Sequence, residues 1–220
     1  MTLQVPLFPL NTVLFPRMVF PLHIFEERYK AMVNYCTEHD SPFGVALIRS
    51  GEEVGEAAEP FAIGTTAHIL RVMDLEEGRK LVVAQGRERF TIRRVLAGEP
   101  YLVAEVESLP LNEAAEDSAL VVGVELAFYR YLRLLRLAQG VSVSINNLPE
   151  DAAGIAWMVA WGLQIELSLK QELLATPALG DILQREQTML EQENRIMAVL
   201  ASEQTTRRKP PEGLGHISLN

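Results

Sequence analysis

Four lysines, four histidines, one cysteine and 29 carboxylates are what this 220-residue chain could bring to catalysis. A phosphate-cradling loop needs glycine directly before its lysine, so that backbone amides surround the phosphate while the ammonium reaches it. Lys30, Lys80, Lys170 and Lys209 instead follow Tyr29, Arg79, Leu169 and Arg208, which excludes a loop of that kind. For acyl transfer there is no G-x-S-x-G elbow, and Ser168 and Lys170, two apart on an expected helix, point to different faces. His23, His39, His68 and His216 are scattered, Cys36 is the one thiol, and no H-x-x-x-H pair occurs, so no metal site is expected. Nothing in a single sequence selects an acid–base pair from 29 carboxylates. The expectation is a noncatalytic protein with no cofactor; a small hydrolase stays as an alternative, to be favoured by any turnover that one carboxylate change abolishes.

Binding chemistry offers two candidates. Arg79, Lys80, Arg87, Arg89, Arg93 and Arg94 form a basic strip from 79 to 94 in which Glu88 is the only acid, and a β-barrel carrying it could bind RNA. Against that, Glu99, Glu105 and Glu107 follow on the next expected strand, where cross-strand pairing would neutralise the arginines, and only Phe90 could stack on a base. A net charge of -9 and a pI near 5.0 also oppose a phosphate-binding surface, so no nucleic-acid partner is expected. The second candidate is the opening stretch PLFPLNTVLFPRMVFPL, residues 6–22, whose only polar residues are Asn11, Thr12 and Arg17. Its four prolines exclude a membrane helix, and it lacks the pattern of a secretory signal. Leu7, Leu10, Val13 and Leu14 read as core. Phe15, Pro16, Met18 and Phe20, around Arg17 in a loop, are the candidate peptide-binding residues, because rigid proline beside adaptable methionine and aromatic surface suits capture of a polypeptide.

The elements that would position these residues follow from periodicity. IFEERYKAMVNYCTEH, residues 24–39, reads as one amphipathic helix. Short apolar or alternating segments at 43–49, 61–75, 80–86, 87–96 and 101–109, separated by turn-like insertions, predict a mostly antiparallel sheet, curled or closed. From about residue 112 the apolar period becomes helical: 119–140 stops at Gly140, a new start lies at Leu148–Asp151, and 153–167, 169–175 and 178–203 follow. Trp157 and Trp161 share a face of the nearly all-apolar 153–167 helix and are expected in its core, while Arg130, Arg133 and Arg136 are expected in solvent. The fold class is thus α+β, with a β-rich part at 1–111, a helical bundle at 112–204 and a disordered tail at 205–220. One cysteine and no apolar run of about 18 residues suggest a reducing, cytoplasmic setting without a membrane partner.

PLFPLNTVLFP followed by LHIFEERY resembles the start of the substrate-binding domain of the ATP-dependent Lon proteases, whose pattern runs P-L-F-P-L, V-L-F-P-G and L-P-L-x-I-F-E-P-R-Y. The resemblance continues through GRERFTI at 86–92, YLVAEVE at 101–107 and LSLKQELL at 167–174, covering about residues 3–203. Arg17 stands where the family often has glycine, and Glu27 where it often has proline. The resemblance implies a PUA-like β pseudo-barrel followed by helices, in a stand-alone form lacking ATPase and peptidase domains. It implies a module that recognises unfolded or partner polypeptides, as an adaptor or regulator in proteolysis; the oligomeric state is left open.

Overall fold

The computed structural model describes residues 2–51, 58–96, 100–113, 118–140 and 149–208. It contains strands β1 (Thr2–Leu10), β2 (Val19–Ile24), β3 (Phe43–Ser50), β4 (Glu59–Pro60), β5 (Ile63–Asp74), β6 (Lys80–Leu96) and β7 (Leu102–Ser108). The helices are α1 (Glu27–Glu38), α2 (Ser118–Gln139), α3 (Ala152–Gly162), α4 (Leu167–Ala175) and α5 (Leu179–Arg208). The fold is α+β, as expected.

β1 pairs antiparallel with β7 along one side and parallel with β3 along the other, with Leu7 opposite Gly44 and Leu10 opposite Leu47. β7 pairs with β6, β6 with β5 and β5 with β3, all antiparallel, so these five strands close on themselves. That closure explains the surplus of apolar residues at the start. A strand buried on both faces reads as a continuous apolar run rather than an alternation. Val5 and Leu7 enter one cluster with Phe90, Ala104 and Val106. Phe8 and Leu10 enter another with Tyr29, Met32 and Cys36 of α1 and with Phe43 and Val82. Gly64 leaves the space that Phe90 fills, since a Cβ there would collide with the ring and with the Val45 carbonyl. The two segments expected at 80–86 and 87–96 are one 17-residue strand. Its first half also carries β2, from Val19 opposite Gln85 to Ile24 opposite Lys80.

The chain divides into two compact units, Met1–Glu116 with Pro149–Ile182, and Asp117–Leu148 with Leu183–Asn220. This differs from the single boundary expected near residue 112, because α3 and α4 belong with the sheet. Gln171 of α4 donates to the Ile63 carbonyl at 2.9 Å, and Phe15 stacks on Trp157 of α3 with ring centroids 5.9 Å apart. Within the second unit, α2 buries Val124, Phe128, Tyr131 and Leu135 at helical spacing, and α5 buries Leu190, Asn194, Met197 and Ala201. Asn194 donates to the Ala127 carbonyl at 2.9 Å. Arg130, Arg133 and Arg136 are exposed, and α2 ends where expected, with Gly140 at φ 72° bonding back to Arg136. Helix α5 continues to Arg208, into the stretch expected as a tail; residues 209–220 lie outside the described residues.

Candidate functional site

The sequence points to the turn after Pro16, and the structure shows what that turn is tied to. Arg17 has φ 67°, a left-handed conformation in which glycine is at ease and a larger residue is strained. The turn is held there by its backbone: Arg17 N–H donates to the Gly86 carbonyl at 2.8 Å, and Gly86 N–H returns a bond to the Met18 carbonyl at 2.8 Å. A Cβ at Gly86 would collide with the Phe15 carbonyl, so the glycine of GRERFTI is the residue that lets β6 approach this closely. The arginine side chain finds compensation elsewhere. Its Nη1 donates to Asp151 Oδ2 at 2.6 Å, while Asp151 Oδ1 accepts the Gly154 N–H at 2.8 Å and so caps α3. These two bonds hold the Asp151 carboxyl below the usual aspartate range, the Arg17 bond being the larger cause.

Of the four expected peptide-binding residues, Phe15 and Phe20 are buried, Phe15 completely. Met18 is half-buried and packs on the cluster around α1, and Pro16 is half-buried. Pro16 and Arg17 line a depression of about 410 Å³ together with Arg87, Arg89, Leu111 and Trp157. The structure thus brings the turn, β6, the segment after β7 and the start of α3 to one place. Trp157 is buried as expected, against Phe15 and Arg89, whereas Trp161, expected in the core beside it, is 49% exposed.

The basic strip is dismantled by its neighbours. Arg93 pairs with Glu107 and Arg94 with Glu105, which is the cross-strand neutralisation expected, while Lys80 pairs instead with Asp74 of β5 and Arg79 with nearby Glu77; Glu99 lies outside the described residues. Arg89 departs from the expectation of cross-strand pairing. Between the pairs Ala67 with Gly86 and Thr65 with Arg89, the step along β6 is one residue longer than the step along β5, a bulge that breaks alternation. Arg87 and Glu88 are exposed in succession, and Arg89 turns inward to 3% exposure. Its Nη1 donates to the carbonyls of Leu174 at 2.7 Å and Thr176 at 2.6 Å, and its Nη2 to that of Pro110 at 3.2 Å. Leu174 is in the last turn of α4 and Thr176 ends it, so the guanidinium caps the negative end of that helix. It also lies 5.3 Å from the Trp157 ring centroid. Burial pulls its pKa down. Sequence reasoning missed this role; the available signal was an arginine between Gly86 and Phe90, both fixed by close packing.

The catalytic candidates dismissed from the sequence are dispersed. Lys170 Nζ donates to the Trp161 carbonyl at 2.8 Å while Ser168 is exposed, and burial pulls the lysine pKa down. Among the described residues no group of three or more His, Cys, Asp and Glu side chains could hold a metal, and no helix is long and apolar enough to cross a membrane.

Comparison with known proteins adds the following. The family model for the ATP-dependent protease La (LON) substrate-binding domain matches residues 4–192. Among curated proteins, Lon protease 2 of Herpetosiphon aurantiacus is 33% identical over 202 residues, covering 89% of this chain and 24% of that protein. Lon protease of Porphyromonas gingivalis is 26% identical over 215 residues, covering 94% of this chain and 25% of that protein. The chain therefore spans about a quarter of the length of these relatives. Among solved structures, a Lon N-terminal domain protein from Xanthomonas campestris superposes with a TM-score of 0.66 at 25% identity, covering 83% of this chain and 96% of that one. The N-terminal domain of Mycobacterium avium complex Lon protease has the same fold, with a TM-score of 0.61 at 20% identity, covering 91% and 98%.

Proposed function

The chain belongs to the family of the ATP-dependent protease La (LON) substrate-binding domain, and from that premise we propose that it is a noncatalytic module that binds unfolded polypeptides and serves proteolysis as an adaptor or regulator. The observation that carries the reading is the depression beside the Pro16–Arg17 turn, where Trp157, Pro16 and Leu111 supply apolar contact and guanidinium groups supply hydrogen-bond donors. A bound polypeptide segment offers the complementary set, apolar side chains along a backbone rich in carbonyl acceptors. The turn and the bulge of β6 fix these groups through backbone bonds, so little order has to be gained on binding. Of the residues first assigned to peptide binding, Pro16 lines the depression, Phe15 is buried against Trp157 beside it, and Met18 and Phe20 pack in the cluster around α1 instead.

The test is a titration with fluorescently labelled unfolded casein, for the chain and for Leu111→Asp, which puts a charge into the apolar wall at a half-buried position. The expected result is measurable binding that weakens tenfold or more in the variant, a factor that needs only about 1.4 kcal/mol. The melting temperature is monitored alongside. No binding to casein, or undiminished binding by a folded Leu111→Asp protein, removes the depression from the reading.

A further inference from the structure

Arg89 combines two properties that seldom occur together. It is 3% exposed, and among the described residues no carboxylate bonds it; its hydrogen bonds all go to backbone carbonyls. Buried charges are ordinarily paired, because an isolated ion loses its hydration without recovering it from a counter-ion. The three carbonyl bonds use both N–H groups of Nη1 and one of Nη2, leaving the Nε–H and one Nη2–H of a residue that lines the depression. Arg87, two residues back and exposed, lines the same depression, and no carboxylate among the described residues bonds it. Ser108 adds a hydroxyl. Arg17 contributes no net charge, being paired with Asp151. Glu88 and Glu113 also line the depression but are exposed, where water screens them far more than it screens the buried Arg89.

We propose that this depression recognises the free carboxylate at the C-terminus of a polypeptide, with Arg89 as its buried cationic floor and Arg87 as the second donor. Arginine offers a planar pair of N–H groups that matches a carboxylate, and the bonds formed are charge-assisted. The apolar wall of Trp157, Leu109 and Leu111 adjoins the arginines, and a chain end supplies an apolar side chain and a carboxylate on one residue. A polyanion such as nucleic acid fits poorly, since the chain carries a net charge of -9 and the cationic spot is confined to one depression. The proposal rests on the polypeptide-binding reading above and specifies what part of the polypeptide is read.

The experiment uses the full chain carrying Trp161→Phe, an exposed position outside the depression, so that Trp157 is the one remaining tryptophan and its emission reports the site. Three peptides of the same apolar composition are titrated: one with a free C-terminal carboxylate, its C-terminal amide, and an amide with an internal Asp. Unfolded casein is titrated in parallel. The expected result is at least tenfold tighter binding of the free-carboxylate peptide than of either amide, a preference that shrinks by threefold or more in Arg87→Gln. Arg89→Lys, which keeps the charge but loses the planar pair, should reduce the same ratio in protein whose melting curve remains cooperative. Equal affinity for the acid and the amide, with casein still bound, overturns the carboxylate proposal and leaves the polypeptide-binding reading standing. Binding of the internal-Asp amide as tight as the free acid overturns the assignment to a chain end. Failure of casein and all three peptides to bind takes down both.

Discussion

Replacing Arg17 by glycine and by alanine separates what its backbone costs from what its side chain contributes. The left-handed φ of 67° costs a non-glycine residue about 1–2 kcal/mol. The backbone bonds to Gly86 hold that conformation whatever the side chain, so alanine inherits the strain and glycine relieves it. Both substitutions lose the bond to Asp151; with side chains 56% and 53% exposed, this ion pair contributes about 0.2–1 kcal/mol. Arg17→Ala should therefore be slightly less stable than the parent chain. Arg17→Gly should sit near the parent or above it, after the extra freedom of glycine in the unfolded chain offsets about 0.5–1 kcal/mol of the relief. The robust quantity is the gap between the two variants, about 1 kcal/mol in favour of glycine, which for a domain of this size moves the melting temperature by about 2–4 °C. Urea titrations of both proteins, with matching slopes, read the gap directly. If alanine proves as stable as glycine, the turn does not hold its left-handed backbone, and Arg17 does not shape the depression as described.

Three further outcomes follow from burial and charge. Phe15→Ser and Phe20→Ser should each lose about 3–5 kcal/mol in chemical denaturation, while Met18→Ser loses clearly less; equal losses would place Met18 in the core with them. Trp157→Ala should cost about 3–5 kcal/mol and Trp161→Ala under about 1 kcal/mol, so similar melting temperatures for the two would contradict their different burial. Because Asp151 titrates below its usual range when folded, its contribution is complete above the unfolded value of about 3.9 and is lost as pH falls through the lower folded value. Asp151→Asn should accordingly flatten the acid limb of a stability–pH curve, and an unchanged limb would show that the Arg17 and Gly154 bonds do not form in solution.

Local pattern was enough for much of this protein. Helix α1 follows from the spacing of Tyr29, Met32, Val33 and Cys36, and Gly140 marks the end of α2, because helical periodicity and a left-handed stop are properties of a few adjacent residues. The closed, mostly antiparallel sheet followed from the apolar segments and turns, and the GRERFTI and opening motifs pointed to the family. What no local pattern carried was the partner of each surface. Arg89 and Arg93 are the same residue type four apart on one strand, yet a bulge against β5 and the end of α4 bury the first, while Glu107 on β7 keeps the second in solvent. Trp157 and Trp161 share a face on a helical wheel, yet Phe15 and Arg89 pack on the first while the second is exposed. The turn residue Arg17 was legible as a departure from glycine, but that it caps nothing itself and steadies the cap of α3 depends on a bond between residues 134 apart in the chain. Burial and pairing are set by elements distant in sequence, so the depression that the chain offers to a ligand was decided by tertiary contacts, while the residues able to form it were written locally.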